Sequence, residues 1–133
     1  MIEIKNLSGN PLRTDFLKRI GRAVLRKEHK DNLDLSVVLV KKSKMQEFNR
    51  VYRGKDAPTN VLSFQEEELG LGELVLCPAQ IRKDAKKYGI TFKAELVRIF
   101  IHGLLHLVGY DHEKDMDFKK MSHKEEKYLS VVS

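Results

Sequence analysis

The sequence carries a single cysteine, Cys77, among its 133 residues. An internal disulfide needs two, so a disulfide-stapled scaffold is excluded and nothing points to secretion. At the end of an apolar stretch, Cys77 reads as a small buried residue rather than a metal ligand. Long hydrophobic runs are also missing. The longest, Ile99 to Val108, falls short of the ~20 residues of a membrane span and carries two histidines. The opening Met-Ile-Glu-Ile-Lys-Asn lacks the basic start and apolar core of a secretory signal. Repeats, linkers and low-complexity segments are absent. The expectation is one domain over residues 1–133, soluble and cytoplasmic, with no membrane partner.

Charge is present in excess of one sign. Lysine and arginine number 25 against 19 acidic residues, a formal net charge of +6. The basic residues run through the whole chain, a balance that favours a polyanionic partner and that a lysine-rich solvated surface also produces.

Hydrophobic periodicity predicts four strands and five helices. Ile2 to Leu7 alternates as a short strand. Phe16, Leu17, Ile20, Ala23 and Val24 recur at helical spacing after Pro11, with Arg19, Arg22, Arg26 and Lys27 on the outer face. Leu33 to Val40 is rich in β-branched residues, as a strand covered on both faces would be. Ser43 and Gln46 match a capping box for a helix to about Tyr52, with Met45, Phe48 and Tyr52 inward. Asn60 to Phe64 and Leu71 to Cys77 read as strands, separated by an acidic turn at Glu66 to Glu68. Pro78 suits the first turn of a basic helix that Gly89 ends. Thr91 caps a helix to Val108 that is apolar nearly all round and therefore buried. A last helix covers about 114 to 130, with Phe118, Met121, Tyr128 and Leu129 inward and His123 on the surface. The class is α+β, a small mixed four-stranded sheet packed with about five helices.

Three of the five histidines fall within residues 102 to 112. His102 and His106, four apart, share one face of the buried helix. Gly109 has no Cβ and ends the helix, so the chain can bring His112 back towards the other two. Three imidazoles with an open fourth position are the donor set of a catalytic zinc site. Burying several polar rings is costly unless each finds a partner, and one metal serves all three. The spacing His-x3-His-x5-His with a glycine between is that of the long metzincin motif. Gly103, however, stands where a zinc peptidase carries its general-base glutamate. Arg98, one turn before His102, reads equally as a supporting group or as an exposed end.

Residues 53 to 64 form a second unusual stretch. Gly54 and Pro58 mark an irregular loop on which Arg53 and Lys55 can present cations to a phosphate. Composition alone makes it a polar turn.

Together these residues resemble the YbeY family of bacterial rRNA-maturation endoribonucleases, and the resemblance covers essentially the whole chain. His102-Gly-Leu-Leu-His106-Leu-Val-Gly109-Tyr110-Asp111-His112 resembles the family signature. Arg53-Gly-Lys55-Asp56, Thr59 and Val61-Leu-Ser63-Phe64 resemble its second motif. Gly72-Glu-Leu-Val resembles its following strand, and Met121 with Glu125 its last helix. The resemblance implies a single-strand-preferring endoribonuclease with one zinc per chain, held by His102, His106 and His112 as in metzincins. It implies Arg53 near the scissile phosphate, and Lys55, Thr59 and Ser63 at the substrate. It further implies 16S rRNA 3′-end processing and ribosome quality control, hence ribosomal RNA and ribosomal particles as partners. Protein partners are not specified. Asn60 stands in place of an aspartate, Glu73 in place of a shorter acid and Gln65 in place of a proline.

The chemistry expected is phosphodiester cleavage at the metal, with Arg53 stabilising the transferring phosphate. The base is open between Asp111, which can equally orient an imidazole, and attack by the RNA's own 2′-hydroxyl. Two rivals remain. A zinc peptidase would want glutamate at 103. A non-catalytic ribosome-associated protein would use structural zinc, which favours four protein ligands and cysteine.

Overall fold

A computed structural model describes residues 1–66, 70–110 and 115–132, with side chains described for all but 115–118 and 131–132. The order is β1 (Ile2–Asn6), α1 (Asp15–Lys27), β2 (Asp34–Leu39), α2 (Lys42–Arg53), β3 (Val61–Gln65), β4 (Gly70–Leu76), α3 (Pro78–Tyr88), α4 (Phe92–Val108) and α5 (Asp115–Val132). This is the expected α+β class with four strands and five helices. The strands lie in the order β1-β2-β4-β3. β1, β2 and β4 pair in parallel, and β3 closes one edge antiparallel to β4.

The sheet separates two apolar clusters of unequal size. Leu35, Val37, Leu39, Leu74 and Leu76 belong to the main core with residues of α1, α3, α4 and α5. Val40, Met45, Leu62, Val75 and Cys77 make a smaller cluster with α2. β2 is therefore well covered on one face only: Leu35, Val37 and Leu39 are buried, whereas Ser36 and Val38 are half-exposed. The expectation of two covered faces is corrected, because α2 shields only part of the second face.

The capping box is also corrected. α2 starts after Lys41 rather than after Ser43 and has no side-chain cap. Gln46 instead donates to Asp56 at 3.1 Å, which uses the group the box required. Tyr52, expected inward, is exposed and sets its ring edge-on to Phe64 at 5.0 Å. Other signals are confirmed. Thr91 Oγ1 accepts from the Ala94 N–H at 3.0 Å, and α4 follows it. Ten residues of α4 are buried, from Glu95 to Leu107. Pro78 opens α3. The acidic turn lies largely outside the described residues.

α4 is the element around which the site is built. It packs against α1, α3 and α5 and lies across β3 and β4. Gly103 makes its close approach to the sheet possible. A Cβ there would lie 2.8 Å from Leu74 Cδ2 and 3.3 Å from Val61 Cγ2, and Leu74 is fully buried. From the strand side, Gly72 has φ +144°, and a Cβ would fall 2.3 Å from the Phe64 carbonyl oxygen and 2.9 Å from Leu107. Only glycine fits both requirements at that point.

Candidate active site

His102 and His106 lie on successive turns of α4, both half-buried, as their spacing predicted. About one helical turn separates them without any loop, so they are carried on a rigid support. α4 stops at Val108 with Gly109 at φ +120°. The Gly109 N–H donates to the His106 carbonyl at 3.1 Å and the Tyr110 N–H to the Leu105 carbonyl at 3.0 Å. That crossed pair is the Schellman stop, and it turns the chain out of the helix just before His112. His112 and Asp111 lie outside the described residues. Among the described residues, no three His, Cys, Asp or Glu side chains converge to hold a metal. The expected third ligand and the expected base or orienting carboxylate therefore have no described position.

The end of α4 is finished by a side chain from the edge strand. Gln65 Nε2 donates to the carbonyls of His106 and Leu107, each at 3.4 Å. A helix leaves its last four carbonyls without helical partners, and here Tyr110, Gly109 and Gln65 supply donors to three of them. A proline at 65, as the sequence resemblance leads one to expect, would have no such donor.

His102 has a partner on α5. Its Nδ1 lies 2.5 Å from Glu125 Oε1, with the two side chains 34% and 18% exposed. Beside this pair, Arg98 donates from Nε and Nη2 to Glu95 at 2.7 and 3.0 Å. Arg98 is thereby an ion-paired group rather than a loose end. The hydrogen bond to Glu95 is the main cause holding its pKa above the usual value, opposed by burial and helped by the charges of Glu95 and Glu125.

A second polar cluster flanks the Gly109 turn. Glu28, at the end of α1, accepts from the Tyr128 hydroxyl at 2.9 Å and from Lys124 Nζ at 3.3 Å. Burial pushes Glu28 up, but hydrogen bonds from Tyr110, Tyr128 and Lys124 outweigh it, so its pKa is lowered. Burial first, and then Glu28, push Tyr110 up to about 12 and Tyr128 up in the same direction. A cleft of 510 Å³ opens beside Tyr110, with Lys27, His29, Lys120 and Lys124 in its wall. None of this was legible in the sequence, since Glu28 and Tyr128 are 100 residues apart.

The second motif enters from the sheet edge. Arg53 is the last residue of α2 and Lys55 follows the Gly54 cap, and both are exposed. Among the described residues, no hydrogen bond or ion pair joins either to His102 or His106. Thr59 is half-buried. Ser63 lies on β3, its hydroxyl 3.5 Å from the Gly103 carbonyl, so it bridges the strand to the histidine helix. The loop is held by Asn49 Nδ2 donating to the Ala57 carbonyl at 2.7 Å and by Gln46 on Asp56. Asn60 Nδ2 donates to Asp84 at 3.3 Å. An aspartate at 60 would instead face a like charge. Cys77 is fully buried and its thiol is pushed up by burial, which fits a packing role.

A family model described as Endoribonuclease YbeY matches residues 3–133. The chain belongs to the YbeY family. It is 44% identical over 102 residues to an Endoribonuclease YbeY of Thermotoga neapolitana, covering 76% of this chain and 68% of the relative. With the Thermotoga maritima enzyme of that name, identity is 40% over 119 residues, 87% of this chain and 78% of the relative. With that of Persephonella marina it is 37% over 117 residues, 83% and 76%. A solution structure from Thermotoga maritima superposes with a TM-score of 0.71 at 35% identity, covering 99% of this chain and 89% of that one. YbeY proteins are named as endoribonucleases, hydrolases of RNA phosphodiester bonds, and a metal-dependent nuclease is the class that this membership indicates.

The donor set fits such a metal. His102 and His106 offer imidazole nitrogens one turn apart, and a carboxylate on the Nδ1 of His102 is the arrangement in which Nε2 would be the nitrogen to face a metal. Imidazole donors suit zinc, and also nickel, copper and iron. Among the described residues, no helix is long and apolar enough to cross a membrane.

Proposed function

We propose that this chain is a zinc-dependent, single-strand-preferring endoribonuclease of rRNA maturation, acting at the 3′ end of 16S rRNA and in ribosome quality control. Its partners would be ribosomal RNA and ribosomal particles, and its location the cytoplasm. The supporting observation is the pair His102 and His106 on buried α4, one ring tied to Glu125, close to where the helix stops at Gly109. Membership of an endoribonuclease family supplies the substrate class.

His102, His106 and His112 would hold one zinc. When bound, zinc supplies a Lewis acid for a phosphoryl oxygen and lowers the pKa of a bound water towards ~7. The chain's own residues then have separate tasks. The Arg53 guanidinium presents a planar fork of donors to a phosphate and stabilises charge developing on it. Lys55 adds a point charge, and Thr59 and Ser63 offer hydroxyls along the approach to the β3 edge. The cations of the cleft beside Tyr110 can neutralise flanking phosphates of the strand.

A peptidase reading is disfavoured by packing as well as by composition. A side chain at 103 would meet Leu74 and Val61 rather than reach a substrate. Position 103 therefore supplies no base, and proton removal falls to another group.

The test is cleavage of a precursor 16S 3′-end RNA, offered free, as a duplex and within small ribosomal particles. Expected are cuts in single-stranded RNA, loss of cutting with a chelator and its return with zinc. Equal cutting of duplex, or cutting insensitive to the chelator, would overturn the reading.

A further inference from the structure

Glu125 is 23 residues from His102 in sequence and on a different helix, yet its carboxylate meets the ring at Nδ1. An ionised carboxylate can only accept, so the contact places a proton on Nδ1 and, in the neutral ring that a metal binds, the lone pair on Nε2. The contact is only part-exposed, where a hydrogen bond holds geometry better than it does in open water.

Glu125 is itself fixed from two sides. Met121 and Tyr128, one turn before and one turn after it on α5, are 1% and 2% exposed, so the face that carries Glu125 is anchored in the core. Tyr128 and Lys124 also bond Glu28 on α1. From α4, the Arg98 guanidinium, seated on fully buried Glu95, lies close enough to feel the Glu125 charge. Glu95 and Arg98 on α4 and Glu125 on α5 thus form a run of alternating charge that ends beside the His102 imidazole. Arg98, four residues before His102, sets a positive charge near the carboxylate that meets the ring.

We propose that Glu125 is the positioning residue of the metal centre, holding His102 in the tautomer and rotation that present Nε2 to the metal. The proposal rests on His102 being a metal ligand. Glu125 touches neither metal nor RNA in this role; it acts through the ring. Such outer carboxylates are worth about 10- to 100-fold in metal affinity. The last helix, remote from the histidine signature in sequence, then sets how tightly that signature binds.

The test is the zinc dissociation constant of the full chain, measured by competition with a chromophoric chelator for wild type, Glu125→Gln and Glu125→Ala. Thermal unfolding of the metal-free proteins runs alongside. Nitrogen shifts of His102 in the metal-free state report the tautomer. Expected is zinc binding weakened about 10- to 100-fold in Glu125→Ala and less in Glu125→Gln, whose amide oxygen still accepts from Nδ1. Wild type should hold His102 as the Nδ1–H form and Glu125→Ala should show a mixture, a change that a purely structural residue would not produce. If Glu125→Ala does not fold, Glu125→Gln decides: weaker binding at unchanged metal-free stability supports the role. Equal zinc affinity in wild type and variants would overturn the positioning role and leave the metal reading intact. Absence of zinc binding by wild type would overturn the metal reading itself.

Discussion

The two halves of the site are built on opposite principles. The proposed metal half rides on α4, with its neighbours at 100, 101, 104 and 105 fully buried and its end closed by three donors. The proposed RNA half, residues 53 to 60, is a mostly exposed loop pinned by Asn49, Gln46 and Asn60. A metal tolerates little error in donor placement, so its ligands belong on a buried helix. A flexible single strand presents phosphates at variable positions, so exposed cations on a tethered loop suit it better.

The sharpest way to break this contrast is at the metal half. His106→Ala should lose zinc and reduce RNA cleavage by at least ~10³-fold, since Lewis-acid stabilisation is worth several kcal/mol at 1.36 kcal/mol per tenfold. Metal content and single-turnover cleavage check it together. Arg53→Ala should reduce cleavage by ~10²–10³-fold while keeping full zinc, with Arg53→Lys recovering part of it. Zinc lost along with cleavage in Arg53→Ala would erase the distinction between the halves.

Stability separates them next. Gly103→Ala should cost ~1–3 kcal/mol by overpacking against Leu74, read as a lower urea midpoint with unchanged slope. Glu28→Gln should cost less at neutral pH and, more tellingly, flatten the acid limb of the stability curve. The lowered pKa of Glu28 means that its contribution is full above the ordinary carboxylate value and is lost as pH falls through the lower folded value. A Glu28→Gln curve parallel to wild type between pH 5 and 2 would contradict that. The smallest effect belongs to the loop: Asn60→Asp should cost at most ~1 kcal/mol, by setting a charge against Asp84 near the surface.

What could be read in the sequence divides along the same line. The histidine spacing, the Thr91 cap and the Gly109 stop are local signals, and each appears where periodicity and capping chemistry placed it. Gly103 was visible as a missing base, but its packing reason needed Leu74 and Val61 from two strands. The Glu95–Arg98 pair was within reach as an i, i+3 ion pair on an otherwise apolar helix. Tyr52 was misplaced because helical spacing marks a face without saying how far the sheet beneath it extends. The Glu28 cluster and the Glu125 contact join segments distant in the chain, and no local pattern encodes them. Likewise, the reasons for Asn60 and Gln65 lie in α3 and at the end of α4.

The most direct measurement joins metal content to cleavage in one titration. Metal-free wild type and His106→Ala, purified identically, would receive zinc stepwise while bound metal and cleavage of a single-stranded RNA are followed. Cleavage rising in proportion to zinc and reaching its plateau near one zinc per wild-type chain, with neither binding nor cleavage in the variant, is the expected result. Cleavage that is full before zinc is added, or equal in His106→Ala, would contradict a zinc centre built on α4.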